Sequence, residues 1–465
     1  MSGKYQAYPE YKESGVEWVG DYPANWNLTR VKFESYVKGR VGWHGLKSDD
    51  FTDEGPYLVT GSDFKGPVIK WADCYHCDID RYDQDPYIQL REGDLLITKD
   101  GTIGKVALVN GLDGKATLNS GVFVVRPLAE NYTSKFYFWL LQSRVFTGFV
   151  DLNKTGSTIV HLYQDTFVNF RYAMPSFNEQ LKIGVFLDHE TAKIDTLIEK
   201  QQQLIKLLKE KRQAVISHAV TKGLNPNAPM RDSGVEWLGG VPEGWLAPKV
   251  RYVATLESGH TPSRNKPEYW ENCYIPWISL GDVWQLRSGR QKYISETKES
   301  ISDKGLANSA ARLLPKNTVI LSRTASVGFA GIMKDAMATT QDFANWVCGE
   351  KLDPEFLLYC FWAMRSEFDR LMVGSTHKTI YMPDIKELFI ALPPINEQFL
   401  IVEMLNEKLP RFDALEEQAN KTINLLQERR TALISAAVTG KIDVRHFNPE
   451  DGQTPEPSNK DSEAA

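Results

Sequence analysis

The sequence predicts an α+β protein built from two tandem globular domains, each followed by a long helix. Three observations predict this fold: an internal repeat that runs along the chain, a heptad pattern at the end of each repeat, and short β-type runs between Gly-rich turns. With 465 residues, 42% of them hydrophobic, the chain is long enough to form several packed cores.

The repeat relates two halves of the chain at an offset of 218 or 219 residues. Its similarity is strong at the start of each copy and in the helical ends, but faint between about 30–150 and 250–370. Two copies that are similar at their starts and in their helices but differ between them predict one scaffold that presents two different binding surfaces. The matching segments are Ser14–Trp18 with Ser233–Trp237, Asn178–Gln180 with Asn396–Gln398, and Lys211–Ser217 with Arg429–Ser435.

Apolar residues at the end of each copy recur with an average spacing of 3.5, the coiled-coil period. Ser176 and Glu179 form a capping-box pattern at the start of the first helix, and Gly223 and Gly440 follow the two helical segments. Pro410 predicts a kink or a break in the second helix. The predicted seam comprises Ile183, Leu187, Ile194, Leu197, Leu204 and Leu208, then Ile401, Leu405, Phe412, Leu415, Leu426 and Leu433.

We expect the two helices to pair as an antiparallel coiled coil that relates the globular domains by a pseudo-twofold axis. The alternative, that each helix packs on its own globular domain, stays open. Antiparallel pairing returns Thr439–Lys441 to Glu13–Trp18, and about 40 helical residues span roughly 60 Å. The predicted boundaries are 1–176 and 223–394 for the globular domains, 177–222 and 395–440 for the helices, and 441–465 for a C-terminal segment with a disordered acidic tail.

Charge and composition limit the class of protein. A net charge of −6 and a pI near 5.9 disfavour a globally basic nucleic-acid binder, so any DNA-binding surface must be local. The N-terminus lacks an apolar run of signal-peptide type, and no stretch of about 18 apolar residues occurs. Five scattered cysteines are typical of a reducing compartment, so we expect a cytoplasmic protein.

Several Gly-rich turns in both copies carry basic, hydroxyl and aromatic residues. Such loops suit DNA because Gly lets the backbone approach phosphate, while Lys, Arg and hydroxyl groups bind phosphate or base edges. One loop alone is more often a solvated turn, but the turns recur at matched places. The candidate DNA-binding residues are Lys38, Arg40, Trp43, His44, Thr60, Ser62, Lys65, Lys99, Asp100, Thr102, Lys154, Ser157, His260, Thr261, Ser263, Arg264, Asn265, Lys266, Arg323, Thr324, Ser326, Ser375, His377 and Lys378.

No segment of the sequence carries a recognisable catalytic or metal motif. The Lys99–Lys105 loop does not fit the phosphate-binding pattern G-x-x-x-x-G-K-[ST]. Asn225–Asn227 does not supply the N-P-P-[FY] motif of a methyltransferase. Cys74 and Cys77 are half of a zinc pattern without a second pair. We therefore expect neither a catalytic site nor a metal on this chain.

These features together resemble the specificity (S) subunit of type I restriction-modification systems. The resemblance rests on SGVEW-x-G-x-x-P-x-x-W before each globular domain, on ILSRTASVG, GST and P-x-x-NEQ, and on LL-x-E-[KR]-R-x-A-[LV]-I-S-x-A-V-T in the helices. It implies two target recognition domains, each reading half of a bipartite DNA site, and helices that dock two modification subunits. It also implies S-adenosylmethionine on those subunits, and ATP and Mg on a restriction subunit.

Two rival interpretations remain at this point. A coiled-coil scaffold whose two domains bind proteins rather than DNA is mildly favoured by the acidic balance of the chain. A DNA-binding anti-restriction decoy would share the fold but block methylation.

Overall fold

The computed structural model describes residues 5–40, 46–153, 161–374 and 378–449. The chain forms two compact units: unit 1 comprises Met1–Lys200 with Thr422–Ala465, and unit 2 comprises Gln201–Lys421. Each unit therefore contains one globular domain and part of both long helices. No helix in the described ranges combines the length and the apolar content needed to cross a bilayer.

The globular part of unit 1 is a mixture of short strands and helices. Its elements are β1 (Tyr11–Glu13), β2 (Asp21–Pro23), β3 (Asn27–Arg30), α1 (Val31–Glu34), β4 (Ser35–Gly39), β5 (Thr52–Val59), β6 (Tyr75–His76), α2 (Ile79–Asp83), β7 (Leu95–Thr98), β8 (Val106–Leu108), β9 (Ala116–Leu118), β10 (Val122–Pro127), α3 (Ser134–Leu140), α4 (Arg144–Leu152), α5 (Gln164–Phe167) and β11 (Arg171–Met174). The long helix α6 (Phe177–Lys222) follows.

The main sheet of unit 1 has the strand order β4-β10-β7-β8, and a second sheet has the order β6-β5-β9. Successive residues of a strand point to opposite faces, so β7 serves two cores. Leu95 and Ile97 face an aromatic core that includes Phe146 and Tyr172, whereas Leu96 faces the core between the two sheets. The main sheet is thereby buried on both faces.

Unit 2 repeats this plan with different lengths. Its elements are β12 (Met230–Asp232), β13 (Gly240–Pro242), β14 (Ala254–Ser258), β15 (Ile275–Ile278), β16 (Tyr293–Ile294), β17 (Glu299–Ile301), α7 (Asp303–Ala307), β18 (Val319–Ser322), β19 (Ala330–Met333), β20 (Ala338–Thr339), β21 (Phe343–Cys348), α8 (Pro354–Ala363), α9 (Arg365–Leu371), α10 (Met382–Lys386) and the long helix α11 (Ile395–Val438). The sheet orders are β14-β21-β18-β19-β16 and β17-β15-β20.

The first turn of α6 carries the predicted capping box. The Glu179 carboxylate accepts hydrogen bonds from the backbone N–H and hydroxyl of Ser176, at 3.2 and 2.7 Å, and from the buried Trp26 indole at 3.3 Å. Burial alone would raise the pKa of Glu179, but hydrogen bonds from Ser176, Asn25 and Trp26 outweigh burial and lower it. In unit 2 the Trp245 indole donates to Glu397 in the same way, at 3.0 Å.

Segments of α6 and α11 pair within each unit. In unit 2 the ion pairs Lys209–Glu416 (3.2 Å) and Arg212–Asp413 (3.2 Å) join residue numbers that run in opposite directions, so the segments are antiparallel. In unit 1, Arg430 pairs with Asp195 at 2.9 Å. The predicted helix pairing is confirmed. The alternative also holds in part, because Ile183 of α6 is buried in the globular core of unit 1.

The predicted register of the seam needs correction. Leu197, Leu204 and Leu415 were expected at the interface but are exposed. Ile198 packs against the core of unit 1 instead of Leu197, and Ile205 is half-buried where Leu204 is exposed. Neighbouring residues on a helix point about 100° apart, so two adjacent apolar residues leave the pattern ambiguous by one position.

The second helix is not broken at Pro410, because α11 continues from Ile395 to Val438. Buried Leu405 and Leu409 precede the proline, and the ion-paired Asp413 and Glu416 follow it. These contacts outweigh the single intrahelical hydrogen bond that proline removes.

The C-terminal end of α11 returns to the N-terminal segment within unit 1, as predicted. The Tyr11 hydroxyl donates to the Gly440 carbonyl at 2.7 Å, and the Asp443 amide donates to the Gln6 carbonyl at 2.7 Å. Gly440 has a φ of +69°, which suits the C-cap of a helix. These contacts join the C-terminal end of α11 to β1 and the segment that precedes it.

Candidate nucleic-acid interface

The hairpin loops after β7 and after β18 have matching backbone conformations. Lys99–Gly104 and Arg323–Gly328 have equal lengths, and both Gly104 and Gly328 adopt a φ of +82°. A Cβ on Gly104 would lie 3.3 Å from the Phe146 ring, and one on Gly328 would lie 3.1 Å from the Phe368 ring. Glycine is required at this position in both units because the backbone is left-handed and lies against an aromatic ring.

The third residue of each loop is also left-handed: Gly101 has a φ of +69° and Ala325 a φ of +59°. An alanine pays a steric cost in this conformation that glycine avoids. We expect Ala325→Gly to raise the free energy of unfolding of unit 2 by about 1 kcal/mol. Gly101→Ala should lower that of unit 1 by a similar amount. Chemical denaturation of both variants checks this, and equal effects of the same sign would contradict the matched conformations.

In unit 1 the loop after β7 meets the segment before α5. The Leu162 amide donates to the Lys99 carbonyl at 2.9 Å, and His161 Nδ1 lies 2.7 Å from Asp100 Oδ1. The turn after β5 is also near, since a Cβ on Gly61 would lie 3.8 Å from the Thr98 side chain. We call the resulting surface the loop edge of unit 1; it comprises Thr60, Ser62, Lys99, Asp100, Thr102, His161 and Tyr163.

In unit 2 the corresponding loop meets the segment before α10. The Ile380 amide donates to the Arg323 carbonyl, and the Ala325 amide to the Lys378 carbonyl, both at 2.9 Å. Gln341 joins two predicted residues: its side-chain oxygen accepts from the Thr261 hydroxyl at 2.9 Å, and its carbonyl accepts from Arg323 Nε at 3.0 Å. The loop edge of unit 2 comprises Thr261, Arg323, Thr324, Ser326, Gln341, Lys378 and Tyr381.

Each loop edge presents one half-buried cationic side chain among hydroxyl groups and an exposed tyrosine. The Lys99 amine lies 5.0 Å from the centre of the Phe123 ring, and Arg323 is oriented through its Nε. A guanidinium held by Nε still carries four N–H donors at its terminal nitrogens. Cations and hydroxyls in this arrangement can bind phosphate oxygens or base edges, so each loop edge is a candidate local DNA-binding surface on an acidic chain.

Arg40 was predicted to bind DNA, and the structure contradicts this. Its side chain is buried, with Nε donating to the Leu118 carbonyl at 2.8 Å and a terminal nitrogen donating to the Thr117 hydroxyl at 3.2 Å. Burial lowers the pKa of Arg40. The guanidinium therefore satisfies buried oxygens of β9 and is inaccessible to a ligand.

Lys38 and Lys65 lie outside the loop edge of unit 1. The Lys38 amine lies 5.8 Å from the centre of the Tyr87 ring. Lys65 is exposed and pairs with Asp73 at 3.3 Å. Both residues remain predicted DNA contacts, but neither lies among the other candidate residues as Lys99 does in the loop edge.

The segment after β14 holds five further predicted residues beside Thr261. The His260 amide donates to the Thr339 carbonyl at 3.0 Å. The Arg264 guanidinium lies 3.8 Å from the centre of the Trp270 ring and pairs with Glu299, and Lys266 Nζ donates to the Tyr269 hydroxyl. Arg264 is therefore held in place by neighbouring groups, and His260, Ser263, Asn265 and Lys266 are exposed.

Six predicted residues lie outside the described ranges: Trp43, His44, Lys154, Ser157, Ser375 and His377. The disordered acidic tail was predicted to begin after Val444, and its first residues correct this prediction. Phe447 packs against Phe186 with the ring centres 5.0 Å apart, so the segment is held on the core of unit 1. Residues 450–465 lie outside the described ranges.

Sequence reasoning missed Tyr163 and Tyr381, which are exposed and precede α5 and α10. The two tyrosines obey the repeat offset of 218, so the repeat itself could have identified them. It also missed the turn Ser279–Asp282, which matches Thr60–Asp63: each begins with a hydroxyl residue whose amide donates to the buried aspartate, at 2.9 and 2.7 Å.

Residues 46–207 and 242–425 match the family described as type I restriction modification DNA specificity domain. The chain belongs to this family. The two matches cover most of the chain and place one specificity domain in each half. This finding favours DNA recognition over the protein-binding scaffold considered from the sequence.

Individual relatives are distant. The MjaIX specificity subunit of Methanocaldococcus jannaschii is 30% identical over 155 residues, which are 33% of this chain and 35% of that protein. The EcoprrI specificity subunit of Escherichia coli is 26% identical, and the match covers 37% of it. The chain thus spans about a third of the length of these two relatives. The EcoBI specificity subunit of E. coli is 21% identical over 362 residues, 72% of this chain and 73% of the relative.

Two solved structures share the fold over most of its length. A chain from a study of complex assembly and conformational transition in the type I R-M system has a TM-score of 0.69 at 19% identity, covering 90% of this chain and 99% of that one. The HsdS subunit from Thermoanaerobacter tengcongensis has a TM-score of 0.52 at 18% identity, covering 90% and 98%. The predicted fold class, two tandem α+β domains each followed by a long helix, is confirmed.

Proposed function

We propose that this chain is the DNA-recognition subunit of a type I restriction-modification complex, in which each unit reads one half of a bipartite DNA target. The observation that carries the proposal is the pair of loop edges. Lys99-Asp100-Gly101-Thr102 and Arg323-Thr324-Ala325-Ser326 share a backbone conformation but carry different donors and acceptors. Two half-sites of different base sequence can be read by loops that share one backbone conformation but carry different side chains. Membership of the specificity-domain family supports this reading.

The long helices dock modification subunits, one on each unit. On the helical segments, unit 1 exposes three large apolar side chains and unit 2 exposes four, each at least 47% exposed. The three of unit 1 match three of the four in unit 2 at the repeat offset of 218, and Leu400 is the one without an apolar counterpart. Exposed apolar residues repeated in this way support a partner that binds in two copies. The pairs are Leu181 with Phe399, Leu197 with Leu415, and Leu425 with Leu207.

The chain itself is non-catalytic in this proposal and acts in the cytoplasm on double-stranded DNA. S-adenosylmethionine belongs to the modification subunits, and ATP and Mg belong to restriction subunits where these join the complex. The specificity-domain match supports the division of labour, because it assigns recognition to both halves of the chain.

Selection from random DNA duplexes tests the recognition role. We expect the chain, purified with its modification subunit, to enrich sequences with two defined segments separated by an undefined spacer of fixed length. The modification subunit alone should enrich none of them. Enrichment of one continuous motif, or equal enrichment without the chain, would contradict the proposal.

Charged substitutions on the helices test the docking role. We expect Leu181→Glu or Phe399→Glu to remove one modification subunit from the complex, and the double variant to remove both. Burying a carboxylate in an apolar contact should weaken each interface by about 2 kcal/mol or more. Native mass spectrometry reads the stoichiometry. Leu128→Glu, at an exposed leucine outside the helices, is the matched control and should keep both partners.

A further inference from the structure

One aspartate–arginine pair between α6 and α11 is repeated in the two units. Asp195 pairs with Arg430 in unit 1, and Arg212 pairs with Asp413 in unit 2, at 2.9 and 3.2 Å. Asp195 and Asp413 are related by the repeat, and so are Arg212 and Arg430. In each unit, therefore, the arginine comes from one repeat copy and the aspartate from the other.

Each of these arginines also contacts a tryptophan of the globular domain in its own unit. The Arg430 guanidinium lies 5.7 Å from the centre of the Trp139 ring on α3, and that of Arg212 lies 5.6 Å from the centre of the Trp362 ring on α8. The two tryptophans do not share the repeat offset, since they are 223 residues apart. The same contact is thus made in both units although the domains differ in length.

We call each set a helix–domain clamp: Asp195, Arg430 and Trp139 in unit 1, and Asp413, Arg212 and Trp362 in unit 2. Further hydrogen bonds fix the members. The Trp139 indole donates to Asp188 at 3.2 Å, and Arg212 donates to the Gly289 carbonyl at 2.6 Å. Each clamp joins three elements of its unit, namely two helical segments and the globular domain.

The clamps differ in kind from the apolar packing around them. Buried Leu433 and Ile434 of α11 already pack in the core of unit 1. Apolar contact is non-directional and tolerates small rotations, whereas a guanidinium held between a carboxylate and an aromatic face is sensitive to angle and distance. The clamps are therefore suited to fixing the orientation of each domain on its helices.

We propose that the two clamps are positioning residues that set the spacer length between the two half-sites. This inference rests on the proposed function. A domain held at one rotation about the helices presents its loop edge to one position along the DNA. Loss of a clamp leaves the domain folded and its loop edge intact, but lets it reach half-sites that are displaced by one base pair.

Methylation of duplexes with altered spacers tests this proposal. The substrates carry both half-sites identified by selection, with the native spacer or a spacer one base pair longer or shorter. The chain is assayed with its modification subunit as Arg430→Leu and Arg212→Leu. We expect the preference for the native spacer to fall about tenfold in each variant, with the preference among half-site bases unchanged. Arg430→Lys, which keeps the charge beside Asp195, should lose less.

Arg429→Leu is the matched control, because Arg429 is exposed one residue away on the same helix. It should keep the native preference. A lowered melting temperature with an unchanged spacer preference in both clamp variants would overturn the proposal and leave the clamps a purely stabilising role. Failure of the proposed function is distinguishable, because the unsubstituted chain would then show no preference for a split site at all.

Discussion

Gly440→Ala is expected to lower the free energy of unfolding of unit 1 by about 3 kcal/mol, through left-handed strain and overpacking together. Gly440 has a φ of +69°, and a Cβ there would lie 2.2 Å from Pro23 Cγ and 2.5 Å from Pro23 Cδ. Proline atoms in a short strand next to the buried Trp26 have little room to move. The substitution should therefore separate the end of α11 from the N-terminal segment.

Gly15→Ala is the matched control for Gly440→Ala. Gly15 also has a left-handed φ, +64°, but its Cβ would meet nothing within 4 Å. It should cost about 1 kcal/mol, from backbone strain alone. Urea denaturation of both variants measures the difference, and hydrogen exchange should show lost protection in β1 and β2 for Gly440→Ala. Equal destabilisation by the two substitutions would contradict the close contact between Gly440, at the end of α11, and Pro23 of β2.

Arg323→Ala is expected to reduce recognition of one half-site 10- to 100-fold, the loss that follows removal of a side chain that reads base edges or anchors the loop on DNA. Lys99→Ala should affect the other half-site by a smaller factor, because a lysine makes fewer oriented hydrogen bonds than an arginine. Selection from random duplexes with each variant shows which half of the target loses definition.

The control residues for these two variants lie at the ends of the β7-β8 and β18-β19 hairpins that are opposite the loops. Lys334 follows β19 and Arg91 precedes β7, and both are exposed. Lys334→Ala and Arg91→Ala should leave both half-sites defined. If Arg323→Ala and Lys99→Ala also leave both half-sites defined, the loop edges are not the recognition surfaces. If either variant weakens recognition of both half-sites equally, each unit does not recognise its own half-site independently of the other.

The fold was predictable because the duplication supplies an internal comparison. Ser14–Trp18 and its second copy marked the domain starts, and the capping pair Ser176 and Glu179 marked the first residues of α6. The register of the helices was not predictable, since Leu197 and Ile198 are both apolar and only tertiary packing decides which one is buried. The continuity of α11 through Pro410 was not predictable for the same reason, because packing on both sides of the proline keeps the helix unbroken.

The loop edges were predictable in part. The composition of the turns that contain Lys99 and Arg323 can be read from the sequence. Their hydrogen bonds with Leu162 and Ile380, next to Tyr163 and Tyr381, depend on chain segments about 60 residues away. Arg40 shows the opposite problem. A glycine followed by an arginine is typical of a ligand-binding loop, so the sequence suggested that Arg40 is accessible. Only the folded structure shows that Gly39 lies in a paired strand and that the Arg40 guanidinium donates to carbonyl oxygens inside unit 1.

Sequencing of modified bases tests the central claim most directly. In a host without adenine methylation, the modification subunit is expressed with this chain and without it. We predict methyladenine at one split motif, with two defined halves and a fixed spacer, only when the chain is present. Identical methylation with and without the chain, in a complex shown to assemble, would contradict the claim that this protein supplies the sequence specificity.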